Sequence, residues 1–232
     1  PTSPDNVGRL IATARILAGW GATVAVTTRA DTGAVVAVLR DSLEHDAATR
    51  VHGHPLDLCD RASVIAFVDW VNARYPGGVD VLVNNVGDFA PARWDDLSFE
   101  EWTRVLETNL TGTYLCSKRA LPGMRETGAG RIVNIGYASS EQGLVSPKNF
   151  PYFVAKKGVL MFTRMLAADT QDDGITVNAI SPYVVENSDE FPDELPRDRP
   201  ASFDDLIAPL YFFLDPDSEY VSGENIEVDG GW

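Results

Sequence analysis

The chain has 232 residues, of which 44% are hydrophobic, which is enough for one large α/β domain with a substantial core. Its formal net charge of −15 excludes the classes of protein that bind nucleic acid or anionic membrane through clustered Lys and Arg. The two cysteines, Cys59 and Cys116, predict no disulfide framework and favour a reducing, cytoplasmic compartment.

Hydrophobic periodicity predicts that helices and strands alternate along the chain. Helices are predicted at Val7–Leu17, Gly33–Glu44, Arg61–Tyr75, Phe99 to about Met124, Tyr152 to about residue 170, and Phe203–Leu214. Strands are predicted at residues 22–29, Val51–Leu56, residues 77–85, Arg131–Ile135, residues 176–181 and Asn225–Val228. Such alternation with short connections is typical of right-handed βαβ units. We therefore expect residues 1–232 to form a single α/β domain, in which helices cover both faces of one doubly wound parallel sheet, as in a Rossmann-like fold.

Two segments depart from this regular pattern. In a doubly wound sheet a central strand comes before the first helix, but the printed sequence opens on a polar turn at residues 1–6. Either residues upstream of Pro1 are not included in the sequence, or the sheet is built without its usual first strand; we favour the first interpretation. Near the other end, an acidic, lid-like segment at about residues 182–205 has no clear amphipathic helix.

A Tyr and a Lys four residues apart begin the helix predicted after residue 151. Tyr152 and Lys156 therefore lie on one helical face, and an ammonium close to a phenol favours the phenolate. Ser139, in the loop after the preceding strand, could hydrogen-bond a substrate oxygen between them. Taken alone, this pattern also fits a half-buried aromatic residue beside a solvated Lys, with the serine as a turn former.

Further motifs occur in a fixed order along the chain. They are NNVG at 84–87, Asn109 within ETNLTGTYL, Ser139 thirteen residues before Tyr152, YFVAK at 152–156, SPYVVEN at 181–187 and VDGG at 228–231. From Val7 to Gly231 the chain resembles the classical short-chain dehydrogenases/reductases, in particular ketoreductases and 3-oxoacyl-acyl-carrier-protein reductases.

This resemblance implies a catalytic tetrad. Tyr152 would exchange a proton with a carbonyl or alcohol oxygen while hydride passes to or from a nicotinamide. Lys156 would lower the pKa of Tyr152 and bind the nicotinamide ribose, and Ser139 would hold the substrate oxygen. Asn109 would interrupt its helix to hold a water that links Lys156 to solvent; without the tetrad, it would be interpreted as a buried helical Asn bonded to backbone.

The resemblance also implies cofactor contacts. Asp57, followed by Leu58, would bind the adenine, although Asp57 could instead cap the helix near Arg61. Asn84 and Gly87 would pass close to the adenine ribose and phosphates. Val185 and Asn187 would approach the nicotinamide side, where Asn187 replaces the usual Thr. Tyr183 replaces a Gly and would crowd the nicotinamide pocket unless its ring turned outward.

The phosphate-binding turn of the family is largely lost. Of its glycines only Gly8 remains, and Asn6 could replace one of the others because Asn tolerates positive φ. Asp5 adds negative charge near a dianionic cofactor. We expect weaker cofactor binding than usual or a shifted pose.

Cofactor choice depends on the end of the second strand of the family fold. Thr28 and Arg29 stand there in place of an acidic residue and suit a ribose 2′-phosphate, so NADP is favoured over NAD. Asp31 would favour NAD if its side chain turned inward.

The leading hypothesis is an NADP-dependent oxidoreductase that acts on the carbonyl or secondary alcohol of a small or medium apolar substrate. The alternatives are a non-catalytic subunit of the same fold in a hetero-oligomer, and cofactor-free chemistry at Tyr152 and Lys156. Aromatic and apolar residues that could line a pocket for an aromatic or polyketide-like ketone are Phe89, Trp94, Tyr137, Leu144, Phe150 and Phe191.

Macromolecular partners are predicted only in part. An acyl-carrier substrate is not favoured, because Lys118, Arg119 and Arg125 are the only compact basic group on the long helix. We expect a homodimer or homotetramer through the helices at 99–124 and 152–170, with no nucleic-acid or membrane partner and no metal.

Overall fold

A computed structural model describes residues 4–29, 31–140, 148–188 and 191–231 of the chain. Its α-helices are α1 (Pro4–Gly19), α2 (Thr32–Asp41), α3 (His45–Thr49), α4 (Arg61–Arg74), α5 (Phe99–Leu106), α6 (Gly112–Thr127), α7 (Phe150–Asp169) and α8 (Phe203–Leu214). Its strands are β1 (Val24–Thr28), β2 (Val51–Pro55), β3 (Val81–Asn84), β4 (Gly130–Ile135), β5 (Ile175–Pro182) and β6 (Asn225–Val228).

All strand pairs are parallel, as the alternation of elements predicts. β1 pairs with β2, and a second sheet has the order β3-β4-β5-β6. Side chains of successive β4 residues enter different cores: Ile132 packs with Met124 of α6, whereas Val133 packs with Phe213 of α8. Because neighbouring side chains of a strand point to opposite faces, helices cover both faces of this sheet. The α/β class and the Rossmann-like arrangement are thus confirmed.

The strands form two sheets where one was expected. β1 and β3 are not hydrogen-bonded to each other, and a cavity of about 800 Å³ lies between them. Both strands line this cavity along their length, from Val24 to Thr28 and from Val81 to Asn84. We call it the interstrand slot. A strand placed there would pair with both edges and join the two sheets into one.

Helix boundaries differ from the prediction where local hydrogen bonds override periodicity. The helix predicted from Phe99 to about Met124 is α5 followed by a π-helical segment, Glu107–Thr111, and then α6. The side chain of Ser98 caps α5 in a capping box with Glu101. The short helix α3 was not predicted, since five residues give too little periodicity to recognise.

Backbone hydrogen bonds and an ion pair hold the two ends of the lid-like segment in place. Val185 forms a bridge with Ala201, and the Glu186 amide donates to the Ala201 carbonyl at 2.8 Å. Arg199 forms an ion pair with Asp205, the residue that completes the capping box of α8 with Ser202. Among the described residues between β5 and α8 there is a short 3₁₀ turn, Pro196–Asp198, and no α-helix.

Candidate active site

The start of α7 places Tyr152 and Lys156 one turn apart, facing the carboxyl end of β4. Lys156 is 3% exposed, and its Nζ donates to the Ile135 carbonyl at 2.8 Å. The same Nζ lies 5.6 Å from the centroid of the Tyr152 ring. The amine is thus held between the last residue of β4 and the face of Tyr152, as predicted for a Tyr and a Lys on one helical face.

Burial changes the acid–base behaviour of Lys156. Removal of the amine from water, and secondly the charge of Arg9, lower the pKa of Lys156 to about 7. A Lys with this pKa can gain and lose its proton near neutral pH. Arg9 of α1 approaches the site from the other side, where its Nε donates to Asn85 Oδ1 at 3.3 Å.

Asn109 lies in the π-helical segment and is fully buried. Its Nδ2 donates to the carbonyls of Asp88, at 2.7 Å, and Val105, at 2.8 Å. Its Oδ1 has no hydrogen-bond partner among the described residues. A buried amide oxygen without a partner is costly, so it marks a position suited to a donor from outside the chain.

Gly87 brings Asn109 and Lys156 close together. A Cβ added at Gly87 would lie 2.8 Å from Asn109 Oδ1 and 3.3 Å from Lys156 Nζ, too close for any side chain. The structure thus brings together Tyr152, Lys156, Asn109 and Gly87, four of the residues predicted from sequence.

Ser139 and Tyr137 follow β4 but face different elements. Ser139 is buried, has a left-handed backbone with φ 66°, and donates its amide N–H to Glu227 Oε1 of β6 at 3.0 Å. The ring of Tyr137 lies 5.6 Å from that of Tyr152 and 5.3 Å from that of Phe153. Burial raises the pKa of Tyr137 strongly, and the nearby Tyr152 and Tyr183 add to the rise.

Five of the predicted cofactor residues line the interstrand slot: Arg29, Asp57, Leu58, Asn84 and Gly87. Asp57 Oδ1 accepts from the Cys59 amide, and the cap of α4 is Asp60, whose Oδ1 accepts from the Ala62 amide. The alternative role of Asp57 as the cap of that helix is therefore wrong. These five residues lie at or just after the carboxyl ends of β1, β2 and β3, the edge at which parallel α/β sheets bind ligands.

Two residues of this set are also engaged inside the protein. Asn84 Nδ2 donates to Ser117 Oγ at 3.2 Å and to Asn134 Oδ1 at 2.8 Å, in a polar network between β3, β4 and α6. The side chain of Leu58 packs against Gly112, where an added Cβ would lie 2.7 Å from Leu58 Cδ1.

At the end of β1, Arg29 and Asp31 are both exposed. The Thr28 hydroxyl lies 2.9 Å from the Thr32 hydroxyl, inside the protein. Asp31 Oδ1 accepts from the Ala34 amide at 2.9 Å and caps α2. The carboxylate of Asp31 is therefore used by the helix.

On the phosphate side the residues are tightly packed. A Cβ added at Gly8 would lie 2.5 Å from Asn187 Nδ2 and 2.6 Å from Phe203 Cζ, so Gly8 and Asn187 are in contact. Val185 is buried in the core with Phe213. The side chains of Asp5 and Asn6 lie outside the described part of the structure. Close packing of Gly8 against Asn187 and Phe203 thus leaves little space beside this glycine.

The predicted substrate-lining residues fall into separate groups. The Trp94 and Phe150 rings contact each other at 5.2 Å, and Phe150 lies in the first turn of the helix that carries Tyr152. Tyr137 contacts both Tyr152 and Tyr183, the latter at 6.1 Å. Phe191 is 48% exposed, Phe89 is half-buried, and Leu144 lies outside the described residues.

The sequence-based prediction did not include Arg9 or Glu227. Arg9 directly follows Gly8, the glycine that remains of the phosphate-binding turn. Its position next to this motif could have indicated that it lies near the site. Glu227 stands one residue before the VDGG motif, but its partner Ser139 is 88 residues away along the chain, so no local pattern connects them.

Comparison with known proteins identifies the family. The family model described as enoyl-(acyl carrier protein) reductase matches residues 8–232. A short-chain reductase protein of Streptomyces niveus is 34% identical over 239 residues, which cover 95% of this chain and 88% of the relative. The chain belongs to the short-chain dehydrogenase/reductase family. As a member of this family it is an oxidoreductase.

Two further relatives place the chain among these dehydrogenases/reductases. The 3-oxoacyl-[acyl-carrier-protein] reductase of Vibrio harveyi is 32% identical over 236 residues, which cover 97% of this chain and 92% of the relative. The solved structure of a gluconate 5-dehydrogenase from Burkholderia cenocepacia, in complex with NADP and tartrate, superposes with a TM-score of 0.86 at 27% identity. That superposition covers 99% of this chain and 92% of the gluconate 5-dehydrogenase.

Two other classes of site are absent from the described ranges. They hold no group of three or more His, Cys, Asp or Glu placed to bind a metal ion. None of their helices has both the length and the apolar character that a membrane span needs.

Proposed function

We propose that this chain is an NADP-dependent ketoreductase, which interconverts the carbonyl and secondary alcohol of a small or medium apolar substrate. The observation that carries this proposal is the convergence of Tyr152, buried Lys156 and Asn109 around Gly87. The roles that follow are assigned from the contacts of these side chains.

Tyr152 acts as the general acid in reduction and as the general base in oxidation. Its ring lies against the Lys156 amine, whose ammonium form favours the Tyr152 phenolate. Because the pKa of Lys156 is lowered to about 7, Lys156 can also return a proton to Tyr152 near neutral pH.

Asn109 completes the proton path. Its Nδ2 is fixed by two backbone carbonyls, so its Oδ1 is aimed at the space beside Gly87 and Lys156. We assign to this oxygen the binding of a proton donor that connects Lys156 with solvent. The group that holds the substrate oxygen is predicted from sequence to be Ser139.

When bound, the nicotinamide dinucleotide supplies or accepts the hydride. Asp57, Leu58 and Gly87 would hold its adenosine half, Lys156 the nicotinamide ribose, and Gly8, Val185 and Asn187 the phosphate and nicotinamide side, together with Asn6. NADP is preferred, because Asp31 is committed to the cap of α2 while Arg29 is exposed at the end of β1. The NADP complex of the gluconate 5-dehydrogenase supports this choice.

A small apolar substrate suits the aromatic rings around Tyr152 better than an acyl-carrier protein does. Lys118 donates to the Tyr114 hydroxyl at 2.8 Å, and Arg125 is bonded to Asp169 and Asp173. Of the basic group on α6, Arg125 is therefore neutralised by two carboxylates, whereas Lys118 is bonded to a neutral phenol. The acyl-carrier substrate in the name of the Vibrio harveyi relative makes this the second substrate class to assay.

We also propose self-association into a homodimer or homotetramer through α5, α6 and α7. Large apolar side chains are exposed there, including Tyr114 at 41%, Met161 at 64% and Met165 at 62%. Light scattering of the purified chain would give the number of subunits.

A Tyr152→Phe variant tests the proposed function. It should lower kcat for reduction of an aromatic ketone by at least about a hundredfold, because general acid–base catalysis contributes typically 10²–10⁴-fold. Calorimetric titration with NADPH and NADH should show binding to both wild type and variant. A folded wild-type protein that binds neither dinucleotide would instead support the non-catalytic subunit, and turnover without any dinucleotide would support cofactor-free chemistry.

A further inference from the structure

We propose that Tyr137 is a catalytic residue that donates a hydrogen bond to the substrate oxygen beside Tyr152. This inference rests on the proposed carbonyl–alcohol chemistry and adds a donor that the sequence motifs do not indicate. The motifs point instead to Ser139, two residues later.

The backbone around Tyr137 is held rigidly against β5. The Gly136 amide donates to the Ile180 carbonyl at 2.9 Å, and the Ala138 amide donates to the Pro182 carbonyl at 3.0 Å. A Cβ added at Gly136 would lie 2.2 Å from Ser181 Oγ, so the glycine permits this close approach. Tyr137 thus extends from a fixed strand end, which suits a residue that must be positioned precisely before reaction.

Tyr137 faces the helix that carries the proposed general acid. Its ring meets that of Tyr152 at an interplanar angle of 74° and that of Phe153 at 78°, both edge-to-face contacts. Tyr183 lies on its other side. Tyr137 is half-buried, so its phenol is shielded without being closed off from a ligand.

The backbone of Ser139 is held by β6. Its left-handed backbone is unusual for a residue other than glycine, and the carboxylate of Glu227 accepts its amide N–H. The backbone contact of Ser139 thus leads to β6, whereas the ring contacts of Tyr137 lead to α7. Of the two hydroxyl residues, Tyr137 is the one with a described contact to Tyr152.

The chemistry requires a donor that keeps its proton. In reduction, a bound NADPH would supply the hydride that forms the new C–H bond and would leave as NADP⁺; the π electrons of the carbonyl then move to oxygen, and Tyr152 transfers its proton to that oxygen. Tyr137 only donates a hydrogen bond as charge develops there. Burial raises the pKa of Tyr137, so it stays protonated while Tyr152 exchanges its proton.

Three variants of the full chain separate the candidates. Tyr137→Phe should lower kcat for an aromatic ketone about a hundredfold, the loss typical of one oxyanion donor. Tyr183→Phe, the matched control, should stay within about threefold, and Ser139→Ala, the competing assignment, should lose clearly less kcat than Tyr137→Phe. A hundredfold loss in Ser139→Ala with little change in Tyr137→Phe would overturn the proposal and make Ser139 the donor.

A binding measurement tests Tyr137 without turnover. 4-Nitrophenolate, an oxyanion on an aromatic ring, is titrated into the purified chain at pH 8 and followed by its absorbance. Tyr137→Phe should weaken its binding about tenfold, the value of one charge-assisted hydrogen bond, and Tyr183→Phe should not. Equal affinity in all variants would overturn the proposal. If the wild type shows no dinucleotide-dependent turnover, the proposed function fails, and this titration still decides whether Tyr137 binds an oxyanion.

Discussion

Lys156 carries a buried amine, and both its burial and the nearby charge of Arg9 disfavour the protonated form. Its pKa falls from 10.5 to about 7, which corresponds to a cost of up to about 5 kcal/mol for the charged form. Between these two pH values the unfolded chain binds a proton that the folded chain does not. Folding stability should therefore fall as pH is lowered from about 10.5 to about 7, and the cost is fully present below pH 7.

A Lys156→Met variant should accordingly be more stable and inactive. Removal of the buried amine relieves this cost, while the Ile135 carbonyl loses its donor, which costs roughly 1–3 kcal/mol. We expect a net gain of about 1–3 kcal/mol in the free energy of unfolding at pH 7, from urea denaturation. At about pH 10.5 the gain should become a loss of roughly 1–3 kcal/mol, because the cost of the charge is gone while the lost hydrogen bond remains; a variant that is less stable at pH 7 would contradict this account of Lys156.

At the end of β1, the proposed preference for NADP over NAD rests on one charge, that of Arg29. Arg29 is exposed and Asp31 is used by the cap of α2, so Arg29→Gln should weaken NADPH binding about tenfold and leave NADH binding unchanged. Calorimetry with both dinucleotides measures the two effects. Arg15→Gln, an exposed change on α1, is the matched control. An equal loss for both dinucleotides would show that Arg29 does not contact the 2′-phosphate.

At the scale of elements, Gly87 joins the end of β3 to the π-helical segment. Gly87→Ala would place a methyl group 2.8 Å from Asn109 Oδ1 and 3.3 Å from Lys156 Nζ. We expect at least about a tenfold loss of kcat and about 1–3 kcal/mol of destabilisation, as is typical of overpacking. Activity assays and thermal unfolding measure both changes.

Gly19→Ala is the control for this variant. A Cβ at Gly19 meets nothing within 4 Å, and Ala favours a helix over Gly, so stability should rise slightly and activity should stay the same. Equal behaviour of the two variants would mean that the space between Asn109 and Lys156 has no role in turnover.

Sequence alone predicts the elements of the site better than their detailed geometry. A period of 3.6 residues places Tyr152 and Lys156 on one face of α7, because helical spacing is a local property. The π-helical segment that turns Asn109 inward has no periodic signature, since its sequence still fits an α-helix. The direction of Ser139 depends on a left-handed φ and on Glu227 of β6, and such long-range contacts cannot be derived from a local pattern.

At the scale of the whole molecule, the interstrand slot divides the sheet that the alternation of elements predicts. Contacts of Gly8 with Asn187 and of Arg9 with Asn85 place the first turns of α1 at the carboxyl ends of the strands. A strand that led into α1 would therefore run parallel to β1 and β3. The alternation of helices and strands predicts the α/β fold class and the parallel direction of the strands. It does not predict whether both edges of β1 are hydrogen-bonded, because that depends on which strand lies beside β1 in the fold.

In a purified chain of residues 1–232, the slot should accept an extended apolar peptide. The slot is bounded by the edges of two parallel strands, which carry Val24, Val26, Val81 and Val83. A strand in the centre of a parallel sheet is buried on both faces, so a peptide that fills the slot needs a continuous run of apolar residues. A capped seven-residue peptide of Val, Ile and Ala, with a C-terminal Lys tail for solubility, should raise the Tm by several degrees in a saturable manner. The same peptide with a central Pro lacks one backbone donor and should not. An unchanged Tm, or an equal rise with both peptides, would show that the edges of β1 and β3 do not pair with an added strand.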